Sequence, residues 1–414
     1  MRSVNFAGMR SINRSIVLNL IRAHGSMSRA EIAERSHLAT SAVSNIVSEL
    51  LQMGLIREGE TVAAGSGRPA TLLELNTKSV FAIGVNVGFT NIQGVATDLA
   101  GRLLERATIP TKPEEGPQSV LSRVAHVVRE VSRKAGIPSE KVGGVGVGIP
   151  GLVDIASGRS VYSPNLTWRD VPVQEILEAD LSLPIYVDND VRAATLGEST
   201  YGAGQGARHL VALFVGSAIG AGLILDGRLY YGASHSAGEI GHIRVTEDGP
   251  QCSCGKYGCL EAVASGRAIA RKAGRLIRMG AARGLLDRFF DSPDSVTAKD
   301  VAEAAAAGDS AAAQIMEEAA RYVGLAISFL VNTYNPDRVV IGGGVSRSGE
   351  LLLGPARKMV QMHAMPVARD KVEIVPSRLG SDAGPLGAAA LVLERLFPSI
   401  QLAHSGLLSR ERVL

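Results

Sequence analysis

Only three of the 414 residues are cysteine, and all three fall within residues 252–259. An odd, clustered set argues against the disulfide framework that staples small secreted domains. No stretch approaches the roughly 20 consecutive apolar residues that a membrane-spanning helix needs. The first residues carry scattered Arg and no uninterrupted apolar core, so a secretory leader is not expected either. These absences predict a cytoplasmic protein with no membrane partner. Charge of one sign is also scarce: 43 basic against 40 acidic residues leaves +3. That surplus is unevenly placed, since residues 1–80 hold nine Lys/Arg and six Asp/Glu while the remainder holds 34 of each. A basic module on a neutral body is compatible with a nucleic-acid partner, and equally with uneven scatter of surface charge.

What is present suits a soluble chain of two or three domains: 46% hydrophobic and 20% charged residues, with 47 glycines for tight loops. The first 75 or so residues read as three helices and a hairpin. Ile16, Val17, Leu20 and Ile21 share one face of a first helix that Gly25 stops. Ser28-Arg29-Ala30-Glu31 is a capping-box pattern for a second helix carrying Ile32 and Ala33. A turn with Leu38 as anchor follows, then a third helix capped by Thr40, with Val43, Ile46, Val47, Leu50 and Leu51 inward and Gly54 at its end. Residues 55–57 and 70–75 read as strands, joined by a Gly-rich loop that carries Arg68. This order fits a winged helix-turn-helix, with Thr40, Ser41, Ser44 and Asn45 facing a major groove and Arg68 reaching a minor groove or phosphate. A three-helix subdomain for protein contacts has the same pattern.

Near residues 77–79 the texture changes to α/β: apolar runs at 80–87, 142–149, 185–187, 210–215 and 338–341 alternate with helices such as 119–134 and 311–331. Two glycine-rich strand-turn segments, 84–90 and 215–222, look alike, as expected of two related lobes. These two and a third at 341–346 place Asn86, Gly88, Thr90, Gly216, Ser217, Gly343 and Gly344 in turns whose backbone N–H groups can cradle phosphate, although glycine also serves ordinary turns. Cys252, Cys254 and Cys259 with His242 make a closed three-thiolate, one-imidazole set, the donor chemistry of structural zinc. Asp188, Asn189 and Asp190 stand at a strand-to-helix junction, where an Asp can take a proton from a sugar hydroxyl and where helix capping explains one of them equally well. Asn165, Glu239 and Glu261 add acceptors of the same kind.

Taken together, Gly148-Ile149-Pro150-Gly151, Asn165-Leu166-Thr167-Trp168, Asn189-Asp190, Glu239-Ile240-Gly241-His242 and the Cys252 to Glu261 pattern resemble the ROK family of repressors, open reading frames and sugar kinases. The resemblance implies a winged helix-turn-helix over 1–78, then a two-lobed actin-like (ribonuclease H-like) sugar-kinase fold. One lobe would comprise 79–188 with 388–414, the other 189–387 with the zinc loop. It further implies sugar contacts from Asn165, Asn189, Asp190, Glu239, His242 and Glu261, with Asp190 the catalytic base of the kinase branch, and zinc on His242, Cys252, Cys254 and Cys259. The first phosphate loop departs from the family's Asp-x-Gly-Gly-Thr: Asn86 replaces the carboxylate, Phe89 adds bulk, and Ala218 stands for a glycine in the second loop. An intact sugar side beside an altered ATP side points to the repressor branch: a homodimer or dimer of dimers binding operator DNA and responding to a sugar or sugar phosphate. ATP and Mg²⁺ are expected only in the rival reading, a sugar kinase with an attached DNA-binding domain.

Overall fold

The computed structural model describes residues 6–62, 69–281 and 283–397. In the N-terminal module, α1 (Phe6–His24) stops at Gly25, whose φ of +79° suits a residue without Cβ. α2 (Arg29–Ser36) starts on the expected capping box, with the Glu31 N–H donating to Ser28 Oγ at 3.2 Å and the Ser28 N–H donating to Glu31 Oε2 at 2.7 Å. α3 (Thr40–Gln52) begins differently from the sequence expectation. Its cap is Ala39, which has no capping side chain, and Thr40 is already helical. His37 closes the preceding turn in the left-handed region, which carries the chain into the helix at Ala39. β1 (Met27–Ser28), β2 (Ile56–Val62) and β3 (Ala70–Leu75) make an antiparallel sheet in the order β1-β3-β2. The loop between β2 and β3, with Arg68, lies outside the described residues.

Val17, Ile21, Ile32, Val43, Val47 and Leu73 are fully buried in this module. Their cluster does not end there, because it runs on into Ala82, Val95 and Leu99 of the body and into Leu386, Ala389 and Val392 near the C-terminal end. The module is thus packed on the body through shared apolar core.

The body holds two five-stranded sheets. The first uses β4 (Phe81–Val87), β5 (Asn91–Thr97), β6 (Leu103–Pro110) and β7 (Val142–Ile149). A small three-stranded insertion follows, β8 (Leu152–Asp154), β9 (Arg159–Ser163) and β10 (Trp168–Val171), before β11 (Ile185–Asn189) completes the sheet. Between them run α4 (Gly116–Lys134) and α5 (Val173–Leu181), and α6 (Asp190–Tyr201) leads onward. The second sheet uses β12 (Leu210–Val215), β13 (Ile219–Leu225), β14 (Arg228–Leu229), β15 (Arg338–Gly342) and β16 (Glu373–Pro376). Its helices are α7 (Leu260–Ala264), α8 (Gly266–Arg278), α9 (Arg283–Phe289), α10 (Ala298–Ala306), α11 (Ser310–Tyr334), α12 (Glu350–His363) and α13 (Pro366–Arg369).

The strand orders are β6-β5-β4-β7-β11 and β14-β13-β12-β15-β16. In each, the first two neighbours pair antiparallel and the last two parallel. The two look-alike glycine segments are therefore the β4–β5 and β12–β13 turns, at equivalent places in two copies of one plan. α14 (Ala383–Leu396) returns the chain to the first sheet. Glycine lets it come close: a Cβ on Gly84 would lie 1.9 Å from the Pro385 carbonyl oxygen, and one on Gly146 would lie 1.8 Å from that of Ala388.

Candidate functional site

The end of β11 and the start of α6 divide three polar residues among three tasks. Asp188, fully buried, accepts from Arg192 Nε at 2.7 Å and from the Tyr231 hydroxyl at 3.2 Å. Arg192 is equally buried and donates a second bond to the His235 carbonyl at 2.7 Å, so the pair is a structural ion pair with its charges matched. Asn189 caps α6: its Oδ1 accepts from the Val191 and Arg192 N–H groups, and its Nδ2 donates to the Gly151 carbonyl and to Asp190 Oδ1. Both polar atoms of Asn189 are thereby engaged within the chain, which makes it the residue that positions Asp190. Asp190 is half-buried, and burial lifts its carboxyl to about 6, partly offset by the Val191 N–H and reinforced by the charge of Glu239. At neutral pH it remains mostly ionised, as an acceptor of a hydroxyl proton must be.

Glu239, just ahead of the single-turn helix Ile240–His242, is raised as well, first by burial and then by Glu261, against the pull of His242 and Arg192. Its Oε2 lies 3.9 Å from His242 Nε2. Glu261, on α7, accepts from the Ile219 N–H at 3.1 Å and from the Ser253 hydroxyl at 3.3 Å, which fastens it to both β13 and the cysteine loop. Asn165, in the turn between β9 and β10, accepts from Arg267 Nη2 at 2.8 Å. The structure thus links Asn189, Asp190, Glu239, His242 and Glu261 through neighbouring contacts, and Asn165 reaches the β12–β13 turn through Arg267.

The imidazole of His242 serves two neighbourhoods. Its Nδ1 is 3.6 Å from Cys252 Sγ, while Nε2 faces Glu239. The ligand atoms of His242, Cys252, Cys254 and Cys259 all lie within 4.8 Å of one another. Cys254 and Cys259 sulfurs are 3.7 Å apart, which is the edge of a tetrahedron whose thiolates sit about 2.3 Å from a central metal. The donor set and its spacing therefore fit a four-coordinate metal. In the bare protein, burial pushes the Cys259 thiol up to about 12, a proton that a bound metal displaces. Gly258 turns the loop at φ +71°, where a Cβ would strike the Thr246 carbonyl oxygen at 2.0 Å.

Two of the three glycine turns meet at one cavity, and the β4–β5 turn is not on its wall. A cavity of about 790 Å³ has Gly216, Ser217, Arg267, Lys299, Gly344 and Arg347 on its wall. Gly343, Asn86, Gly88 and Thr90 are not among its lining residues. The Gly88 N–H is spent on the Asn91 carbonyl at 2.9 Å, and its own carbonyl accepts from Thr111 Oγ1 at 2.7 Å, so this turn is an ordinary hairpin end. The Asn86 side chain is sandwiched where a Cβ on Gly384 or Gly148 would approach it at 2.7 and 2.9 Å, and its Oδ1 is buried with no hydrogen-bond partner among the described residues. In the N-terminal module, Thr40, Ser41, Ser44, Asn45 and Ser48 form the exposed face of α3. Their short side chains leave the helix free to approach a flat or grooved partner closely.

Comparison with known proteins decides the lineage. The ROK family model matches residues 82–395, and a winged helix-turn-helix DNA-binding model matches residues 11–57. The chain belongs to the ROK family. It is 33% identical over 390 residues to a putative xylose repressor of Caldicellulosiruptor sp. (strain Rt8B.4), covering 94% of this chain and 97% of that relative. It is 38% identical over 316 residues to a glucokinase of Halalkalibacterium halodurans, but there the match covers 76% of this chain and 95% of the relative. The crystal structure of a ROK family transcriptional regulator, homologous to the Escherichia coli MLC protein, superposes with a TM-score of 0.80 at 28% identity, covering 94% of this chain and 97% of that one. The repressor-type matches thus cover 94% of the chain and so include part of the N-terminal module, while the kinase-type match covers 76%.

Within this ROK chain, sequence reasoning did not single out Arg267, Tyr231 or Arg192. Arg267 is separated from Asn165 by 102 positions and Tyr231 from Asp188 by 43. No local pattern marks such partners. Arg192 lies four residues after Asp188, a helical ion-pair spacing that was available as a signal.

Proposed function

We propose that the protein is a sugar-responsive transcriptional repressor in which a ROK cleft senses a carbohydrate and a winged helix-turn-helix reads operator DNA. The observation that carries this reading is the union, in one chain, of an exposed small-polar α3 with a cleft whose Asp190–Glu239–Glu261 side is connected while the β4–β5 turn contributes nothing to the nucleotide-side cavity. The chain divides on this reading into a DNA-reading module (1–78), one lobe (79–188 with 388–414) and a second lobe (189–387). Asn165, Asp190, Glu239, His242 Nε2 and Glu261 contact the sugar, with Asn189 behind Asp190. The metal on His242, Cys252, Cys254 and Cys259 is zinc, the ion that three thiolates and an imidazole favour. With four protein donors it has no open position, so it shapes the loop that holds Glu261. Two copies bind a pseudo-palindromic operator, because one recognition helix reads one half-site. DNA binding places the protein in the cytoplasm. Arg68, on the wing, adds a phosphate or minor-groove contact.

A second reading, an ATP-dependent sugar kinase with Asp190 as base, is favoured by the likeness to glucokinase and by the cationic cavity of about 790 Å³. One experiment separates the two. Operator binding is measured with and without glucose, xylose, N-acetylglucosamine and their phosphates, beside an ATP-coupled kinase assay. The repressor reading expects at least one sugar to change operator affinity roughly 5–150-fold, equivalent to a coupling of about 1–3 kcal/mol. Turnover near ~10 per second with no effect on operator affinity would establish the kinase instead.

A further inference from the structure

Arg267 is the second residue of α8, whose cap is the Ser265 hydroxyl accepting from the Ala268 N–H at 3.2 Å. Its guanidinium reaches from the second lobe to the first. Nε donates to the Ser217 carbonyl in the β12–β13 turn at 2.9 Å, and Nη2 donates to Asn165 Oδ1 at 2.8 Å. The guanidinium carbon also stands 5.7 Å from the centre of the Phe89 ring, in the β4–β5 turn. One cation therefore joins both look-alike turns and the Asn165 loop. This contact accounts for Phe89, an aromatic ring left 43% exposed on a hairpin tip: the ring is the platform on which the guanidinium rests.

The contact also fixes the Asn165 amide. A guanidinium has donors only, so the oxygen end of the amide must face it and the NH₂ end is left to donate elsewhere. We propose that Arg267 is a positioning residue for the ligand: it holds Asn165 as a hydrogen-bond donor to the sugar, and does so only while the two lobes are together. Sugar affinity is then tied to lobe closure through a single side chain. Lysine cannot replace it, because a single ammonium does not present two donors in a fixed plane to Ser217 and Asn165.

This inference rests on the sugar-sensor reading, and one titration series tests both. Calorimetry on full-length, metal-replete protein uses glucose and N-acetylglucosamine, each with its 6-phosphate, and xylose with its 5-phosphate. With a sugar that the wild type binds, Arg267→Ala is expected to weaken affinity about tenfold, Arg267→Lys to recover only a small part of that loss, and Asn165→Ala to weaken it by a similar factor. The double variant is expected to bind no more weakly than Asn165→Ala alone, because Arg267 acts through that amide. Arg267 is exposed, so melting temperature should be unchanged in Arg267→Ala. Losses that multiply in the double variant, or Arg267→Ala binding like the wild type, would overturn the proposal and leave the sensor reading standing. A wild type that binds none of the six sugars would overturn the sensor reading and this role with it.

Discussion

The two five-stranded sheets repeat one strand order, yet they are secured in different ways. The first is pressed by α14 against bare backbone, with Gly84 and Gly146 leaving no room for a methyl group. The second shares its apolar core with the long α11, and Glu261 ties the start of β13 to the cysteine loop. Their equivalent turns have diverged as well. The β12–β13 turn lines the cavity of about 790 Å³, and the β4–β5 turn does not. A duplicated plan fixes where turns and strand ends fall, and leaves their chemistry to individual side chains.

The largest expected effect separates the lobes by metal. Chelation, or Cys254→Ser, removes binding energy on the order of 10 kcal/mol from the second lobe alone. Hydrogen exchange should then show protection lost across residues 242–261 while β4 and β7 keep theirs. Equal loss in both lobes, or fresh protein with well under one zinc per chain, would break the contrast.

Gly146→Ala probes the opposite lobe. Its new Cβ would sit 1.8 Å from the Ala388 carbonyl oxygen, and backbone cannot swing aside as a side chain can. A loss of about 3 kcal/mol is expected, visible as a lower denaturation midpoint with zinc content unchanged. Because α14 also contributes to the core shared with the N-terminal module, operator affinity should fall together with stability.

The smallest effect concerns Asp190, at the passage between the sheets. Its folded carboxyl titrates at about 6, above the ordinary Asp value near 3.8. The folded state holds that proton more tightly than the unfolded chain does. This contribution to stability is therefore complete below about pH 4 and is lost as pH rises through 6. Asp190→Asn removes the penalty, so the variant should be about 2 kcal/mol more stable than the wild type at pH 7.5 and equal to it near pH 4. Denaturant melts at the two pH values check this. The same titration predicts that wild-type sugar affinity weakens below pH 6, as the accepting carboxylate is neutralised.

The sequence by itself determined the pieces whose signals are local. Ser28 and Glu31, three residues apart, announced the second helix, and the structure forms that box. Four metal donors within 18 residues declared their own chemistry, because such donors have few other reasons to cluster. The α/β texture and the paired glycine turns announced two related lobes, and both sheets follow one plan. Thr40 was misjudged as a cap by one residue, since the turn geometry at His37, and not the hydroxyl, set the helix start. Tertiary structure decided the rest. Asp188 and Asp190 are two positions apart and chemically identical, and the Tyr231 hydroxyl, arriving from 43 positions away, joins the nearby Arg192 at Asp188, which makes that residue structural and leaves the other free of the pair. Phe89 read as bulk in a phosphate loop until Arg267 came to rest above it. The fusion of the N-terminal core with α14 likewise joins segments more than 300 residues apart. Burial and charge pairing between distant segments are properties of the packed chain, and no short window of sequence contains both partners.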